Sequence, residues 1–420
     1  MKIRRCRITA FMLSAALLLG GCGSTSGGNS GNNSAGTDVT KDKTKDTADK
    51  TKKAPEIEGL TYESTMDLTY ATEFDVYYYK DGYKLIDVHE DKQYLIVPEG
   101  EEEPENLEYP VSIGDETIPA KPENLADDIV VIQQPTENIY MAATASMSLF
   151  DAIGGIDKVK FSGLEASGWY VESAKEAMES GAMTFAGKYS EPDYETLVDG
   201  DCDLAIESTM ILHTPKVQEM IEDLGIPVFV DYSSYESHPL GRTEWIKLYG
   251  ALLNKEEEAD TFFDQQAHVI EELKGFENTE KTVAYFYVST DGSIVVRKSD
   301  DYIPSMIEIA GGRYAFKDLK NPDSNAPSVK LTMEEFYATA VAADYLIYNG
   351  TIDGQINSIS ELEAKNELFS EFKAVKDGNV WYTGKNLYQA TDTVGELIKD
   401  MHLMLTDGDA SQMTFLEKME

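Results

Sequence analysis

Cysteine is scarce in this chain: three in 420 residues, at Cys6, Cys22 and Cys202. The first two fall at the extreme N-terminus, so Cys202 stands alone and no intrachain disulfide framework can form. Cys202 opens the strand-like run Cys202-Asp203-Leu204-Ala205-Ile206 and reads as a small core residue rather than a reactive thiol. Histidine is almost as rare. His89, His213, His238, His268 and His402 never come within four positions of one another, so no zinc-type spacing exists, and no metal ligands are assigned. A site assembled in three dimensions from His213, His238 and carboxylates stays open. Positive charge is short too. Lys and Arg number 36 against 76 Asp and Glu, a formal charge of −40. Such a field repels nucleic acid and anionic lipid and favours a cationic ligand, a basic docking partner or simple solubility. Walker, Gly-x-Ser-x-Gly and His-Glu-x-x-His motifs are all missing. With so many acids, a hydrolase-type carboxylate pair cannot be picked out by sequence.

What is present begins at the N-terminus. Lys2, Arg4, Arg5 and Arg7 precede the apolar run Ala10 to Leu19, which Gly20, Gly21 and Cys22 close. That is a secretion signal, and its apolar run of ten residues is too short to span a bilayer. Leu-Gly-Gly-Cys resembles a bacterial lipobox, which implies that Cys22 becomes the lipid-bearing first residue; the alternative is an ordinary signal with an incidental cysteine. Losing the four bases of the signal takes the charge from −40 to −44. The expected location is extracytoplasmic, on the outer face of a bacterial cytoplasmic membrane or in a periplasm.

Along the chain the reading is a signal over 1–21, a flexible polar tether over 22–55 and a β-rich extension over 56–125. In the extension, Phe74 to Tyr79 and Tyr83 to Val88 flank Lys80-Asp81-Gly82, a hairpin signal, and Tyr94 to Val97 can add a strand. From Ile129 strands alternate with helical segments, which predicts an α/β protein with mostly parallel sheets. A first lobe is expected over 126–240, starting with the strand Ile129 to Ile132. Residues 241–276 form a helical connection without strands, its second half amphipathic through Ala259, Phe262, Phe263, Val269, Ile270 and Leu273. A second lobe follows over 277–420, so the fold expected is two α/β lobes joined by one long helix, with a small N-terminal β-element.

Several segments carry a family resemblance in order. Glu191-Pro192-Asp193-Tyr194-Glu195-Thr196-Leu197 precedes Cys202 to Ile206, then Gly225-Ile226-Pro227-Val228, then Gly250-Ala251-Leu252-Leu253-Asn254-Lys255 leading to Ala259. Thr332-Met333-Glu334-Glu335-Phe336 and Ala343-Asp344-Tyr345-Leu346-Ile347 repeat the logic. Together these resemble the long-helix class of ABC-importer substrate-binding lipoproteins, which bind ferric siderophores, haem or cobalamin. The resemblance covers roughly residues 125 to 410 and leaves 60 to 120 unexplained. It implies a non-enzymatic, cofactor-free monomer that captures a ferric siderophore or haem-like solute, or a corrinoid, between its lobes. It would deliver that solute to an ABC permease and ATPase complex. It also implies that Glu195 and Glu334, one on each lobe, pair with permease arginines; a solvated helix face is the plain alternative for each. A surface sensor or adhesin, and a lipoprotein enzyme, are the other classes left open.

Ligands of open α/β sheets lie outside the carboxyl ends of the strands. The loops there supply Trp169, Tyr170, Tyr189, Tyr302 and Tyr388 as flat walls, and Lys188, Arg242, Arg297, Lys298 and Lys385 as bases. Aromatics beside bases suit a bulky ligand with peripheral negative charge. Glu207, Glu236 and His238 are added as contacts, with Arg242 the candidate clamp at the entry to the helical connection.

Overall fold

The computed structural model describes residues 53–420, apart from 90, 105–106, 108–124, 127–128, 274, 322–325 and 353, and the side chain of Lys385. The signal, the tether and Cys22 therefore lie outside the described residues. Residues 53–420 form one compact unit.

The extension is a five-stranded sheet in sequential order: β1 (Tyr62–Thr65), β2 (Phe74–Tyr79), β3 (Lys84–Val88), β4 (Gln93–Val97) and β5 (Val130–Gln133). Its β2–β3 hairpin turns at Asp81 and Gly82, both left-handed with φ of 64° and 87°, residue types that tolerate that region. Alternation sends Phe74, Val76, Ile86, Tyr94 and Ile96 into the main core, and Tyr77, Tyr79, Leu85, Leu95 and Val97 into a second, outer cluster. The apolar run Ile129 to Ile132, expected to open the first lobe, supplies β5 instead and pairs in parallel with β4. A short apolar run fits any buried sheet, so only long-range register decides which one it joins.

The first α/β sheet is wholly parallel. It contains β6 (Ile139–Met141), β7 (Val159–Ser162), β8 (Thr184–Phe185), β11 (Leu204–Ser208) and β12 (Val228–Asp231), in the order β12-β11-β6-β7-β8. A small ribbon, β9 (Gly187–Lys188) and β10 (Glu191–Pro192), stands apart. Helices α1 (Met147–Ala152), α2 (Glu172–Glu179), α3 (Tyr194–Asp199) and α4 (Pro215–Asp223) connect the strands.

The helical connection is realised as two helices, α5 (Pro239–Leu253) and α6 (Glu256–Glu271), broken where Asn254 turns left-handed at φ 56°. Two glycines set their packing. A Cβ on Gly250 would lie 2.7 Å from that of Ala259, so glycine lets α5 and α6 touch; a Cβ on Gly241 would lie 3.0 Å from the carbonyl of Tyr70. Almost all of α5 is buried, whereas α6 buries only the stripe of Ala259, Phe263 and Ile270.

The second α/β sheet is mixed. It is built from β13 (Thr282–Val288), β14 (Ile294–Arg297), β15 (Arg313–Tyr314), β16 (Ser328–Leu331), β17 (Tyr345–Asn349), β18 (Val380–Thr383) and β19 (Leu416–Lys418). The order is β16-β14-β13-β17-β18-β19, with β15 beside β13. The centre, β13-β17-β18, is parallel; both flanks are antiparallel. Helices α7 (Tyr302–Ile309), α8 (Met333–Ala340), α9 (Ile359–Lys365), α10 (Lys373–Lys376) and α11 (Val394–Leu405) complete it. Among the described residues no helix is long and apolar enough to cross a membrane.

Candidate functional site

Loops at the carboxyl ends of both α/β sheets surround two cavities that share Ser234 and Pro327 in their walls. The larger, about 890 Å³, is lined by Tyr232, Tyr235 and Leu212 from the first sheet, Lys298, Asp300 and Lys320 from the second, and Glu73 from the extension. The smaller, about 280 Å³, holds Thr144, Arg242, Arg297, Tyr302, Asn349 and Tyr388. Topology puts them there: β12 and β14 end at this level, and α5 and α7 start there.

The chemistry centres on Tyr302. The Arg242 guanidinium carbon lies 4.1 Å from its ring centroid and that of Arg297 lies 5.8 Å away. Arg297 also pairs with Asp301 at 3.5 Å. The Arg242 Nε is buried without a hydrogen-bond partner, an unfilled donor at the cavity wall. Two guanidiniums on one ring, in so acidic a chain, make a local anion-attracting surface.

The two halves are tied beside this surface. Tyr170 donates its backbone N–H to the Gln389 side chain at 2.7 Å, and Gln389 donates to the Gly168 carbonyl and the Tyr388 hydroxyl. Asp392 is bonded to Ser148 of α1, and burial pushes its carboxyl up to about 6. Sequence reading missed Gln389 and Asp392, because their partners lie more than 200 residues away and leave no local pattern.

The expected contacts divide. Arg242, Arg297, Tyr302 and Tyr388 line the smaller cavity and Lys298 the larger, while Tyr170, half exposed, joins them through Gln389. Trp169 does not form a wall. Its ring is buried in the core, with Nε1 donating to Ser162 Oγ at 2.9 Å. Lys188 stands exposed on the β9–β10 ribbon, paired with Glu191 at 2.9 Å, and Tyr189 packs on the core. Glu207 is 0 % exposed on β11, and neither carboxylate oxygen has a partner. Burial alone pushes its carboxyl well above the usual range, because the sheet interior disfavours its charged form. His238 caps α5, its Nδ1 accepting from Leu240 N–H at 3.1 Å while the ring stacks on Tyr70. Burial holds the imidazole below its ordinary value, keeping that lone pair available to the cap.

Glu236 touches the larger cavity, but its carboxylate is spent on the extension. It accepts from the backbone N–H groups of Thr72 and Glu73, from the Thr72 hydroxyl and from Trp245 Nε1. Glu244, one helical step inward, accepts from Thr69, Tyr70 and Ala71 N–H. Five successive amides are thus held by two buried carboxylates. Lys84 of β3 completes the fastening by donating to the Ala251 carbonyl, Asn254 Oδ1 and Glu256. The role left unexplained for the extension begins here: it packs on α5 and contributes Glu73 to the cavity wall. Glu195 and Glu334 are exposed in the first turns of α3 and α8, and a Thr332–Glu335 capping box fixes the latter helix start.

Residues 142–387 match the family model described as periplasmic binding protein, well over half of the chain, and the protein belongs to that family. Two solved structures share its fold. One is a periplasmic haem-binding protein from Pseudomonas aeruginosa (TM-score 0.52, 14% identity, 68% of this chain and 98% of that one). The other is the petrobactin-binding protein of Bacillus subtilis (TM-score 0.51, 18% identity, 64% and 92%). Among curated proteins, the uncharacterized lipoprotein MJ0878 of Methanocaldococcus jannaschii is 25% identical over 290 residues, 66% of each chain. A second lipoprotein of that organism, MJ0872, is 27% identical over 204 residues. The chain spans 66% of the length of the first of these relatives and 51% of the second. At such identity the solved structures establish the fold alone.

Proposed function

We propose that this protein is the solute-binding lipoprotein of an ABC importer, anchored through Cys22 outside the cytoplasm, and that it catalyses nothing. Its solute is bulky and carries peripheral negative charge, a ferric siderophore or a haem-like tetrapyrrole. The observation that carries the reading is the Arg242–Tyr302–Arg297 stack beside the larger cavity, walled by both α/β sheets. A conjugated or chelate face can lie on Tyr302, Tyr388 and Tyr235, while carboxylates or catecholates meet the guanidiniums and Lys298. Two of the structures that share the fold belong to proteins named for haem and petrobactin binding, which supports the same ligand classes here. The two α/β halves act as the lobes, and the Gln389 tie keeps closure modest. Glu195 and Glu334 dock on permease arginines, two negative points that orient a rigid body.

The experiment is a thermal-shift and calorimetric panel of ferric siderophores, haemin and corrinoids. A true ligand at about 100 times its dissociation constant adds about 2.7 kcal/mol of stability. Arg242→Ala should weaken binding at least tenfold without lowering the melting temperature of the ligand-free protein. Glu195→Arg with Glu334→Arg should keep that affinity and lose cellular uptake. A corrinoid hit alone moves the assignment to cobalamin; no hit in any class, or an unaffected Arg242→Ala, overturns the proposed site.

A further inference from the structure

The outer face of the extension sheet carries a side-chain cluster that solute capture leaves unused. Asp75 of β2 and Asp87 of β3 are direct register partners. Two carboxylates therefore stand opposite one another on a single face, an arrangement that repels unless a cation joins it. Beside them on the same face stand Tyr77 and Leu85, next along the two strands, and the buried Gln93 of β4, register partner of Asp87. His89, just beyond β3, brings its imidazole to the same point: Nε2 lies 2.9 Å from Asp75 Oδ2. Its Nδ1 lies 2.7 Å from the Thr72 carbonyl. A carbonyl oxygen only accepts, so Nδ1 carries the proton, and Nε2 turns a lone pair or a second proton toward the carboxylates. An imidazole whose far N–H rests on a backbone carbonyl is the usual setting of a metal-ligating histidine. One donor atom from each of the three residues falls within 4.8 Å of the others. The His89 and Asp75 side chains are only 24% and 25% exposed, well below a solvated surface pair.

We propose that Asp75, Asp87 and His89 form a binding site for a divalent transition cation of the zinc or cobalt type. One imidazole nitrogen and two carboxylate oxygens suit such a metal better than magnesium or calcium, which prefer all-oxygen shells. Three protein ligands leave one position open for water. Tyr77, buried behind the cluster, hydrogen-bonds to Asp75 and orients it. The cation would rigidify more than its own strands. His89 holds the carbonyl of Thr72, whose N–H is held by Glu236, and the neighbouring Glu73 lines the larger cavity. The site lies outside residues 142–387, so it is a property of the extension rather than of the family segment.

The test uses metal-free protein titrated with cobalt chloride at neutral pH, followed by visible absorption, with zinc chloride in calorimetry. One equivalent should bind with the visible bands of a four- or five-coordinate cobalt centre, and zinc should displace it. Asp87→Asn and His89→Gln should each weaken binding at least tenfold and erase the bands. Circular dichroism of the metal-free variants should match the parent, and if one variant misfolds the other decides. Binding without bands, at several equivalents, or unchanged in folded variants overturns the site; His89 is then a protonated partner of Asp75 and nothing more.

Discussion

The interface between the extension and α5 and the interior of the first α/β sheet both bury glutamate, with opposite consequences. Glu236 and Glu244 disappear from solvent, but backbone amides of Thr69 to Glu73 meet their oxygens. Glu207 disappears as completely and meets nothing. Burial pushes up the carboxyls of Glu236 and Glu207 alike, but N–H donors oppose that push at Glu236 and let it clamp a chain, whereas nothing opposes it at Glu207. The contrast separates fastening from filling. It also shows why an extension outside the family segment is no loose appendage: its polar contacts with α5 are satisfied at every point the structure describes.

The largest effect expected from breaking that contrast is at Glu244. Glu244→Ala strips three amides of a shared buried acceptor and should cost about 3–5 kcal/mol in denaturant unfolding. It should also open 66–73 to proteolysis; a loss under 1 kcal/mol would mean that the clamp is dispensable. Asp392 comes next and sets a pH dependence. Its folded value, raised from 3.8 to about 6, means the folded state holds its proton more tightly than the unfolded chain. The associated stability is complete below about pH 4, falls as pH rises toward 6 and stays lost above. Asp392→Asn should therefore match the parent near pH 4 and exceed it near pH 7 by at most about 3 kcal/mol. Parallel curves for the two proteins would refute this. Glu207→Gln sharpens the comparison with the smallest change, an uncharged isostere in place of a carboxyl that burial pushes upward. Its melting temperature should rise relative to the parent as pH increases from 4 to 8; no pH-dependent gain would place an unseen partner on Glu207.

The candidate site was legible in types more than in positions. Arg242, Arg297, Tyr302 and Tyr388 were reachable because helix starts and strand ends can be read locally, and cavities form at those ends. Trp169 and Tyr189 pack on the core instead of lining the two cavities, because an aromatic in a loop can point inward as easily as outward. His238 and Glu236, the latter still at the larger cavity, show another limit: each found a neighbouring backbone donor, and a capped or clamped side chain is indistinguishable in sequence from a waiting one. The helical segments on either side of Asn254 were legible from their period, but only the Gly250–Ala259 contact reveals that the chain folds back between them.

The sequence by itself determined the alternation of strands and helices, the hairpin at Asp81-Gly82, the amphipathic face of α6 and the scarcity of bases that makes each one near a strand end conspicuous. These follow from backbone preference and side-chain period, which act over a few residues. Only the tertiary structure decided that Val130–Gln133 completes the extension, that Glu236 and Glu244 hold it, that Gln389 ties the halves, and that Asp75, Asp87 and His89 meet. Each depends on register and packing between segments distant in the chain or on neighbouring strands, and a short-range pattern carries no record of which distant group will arrive.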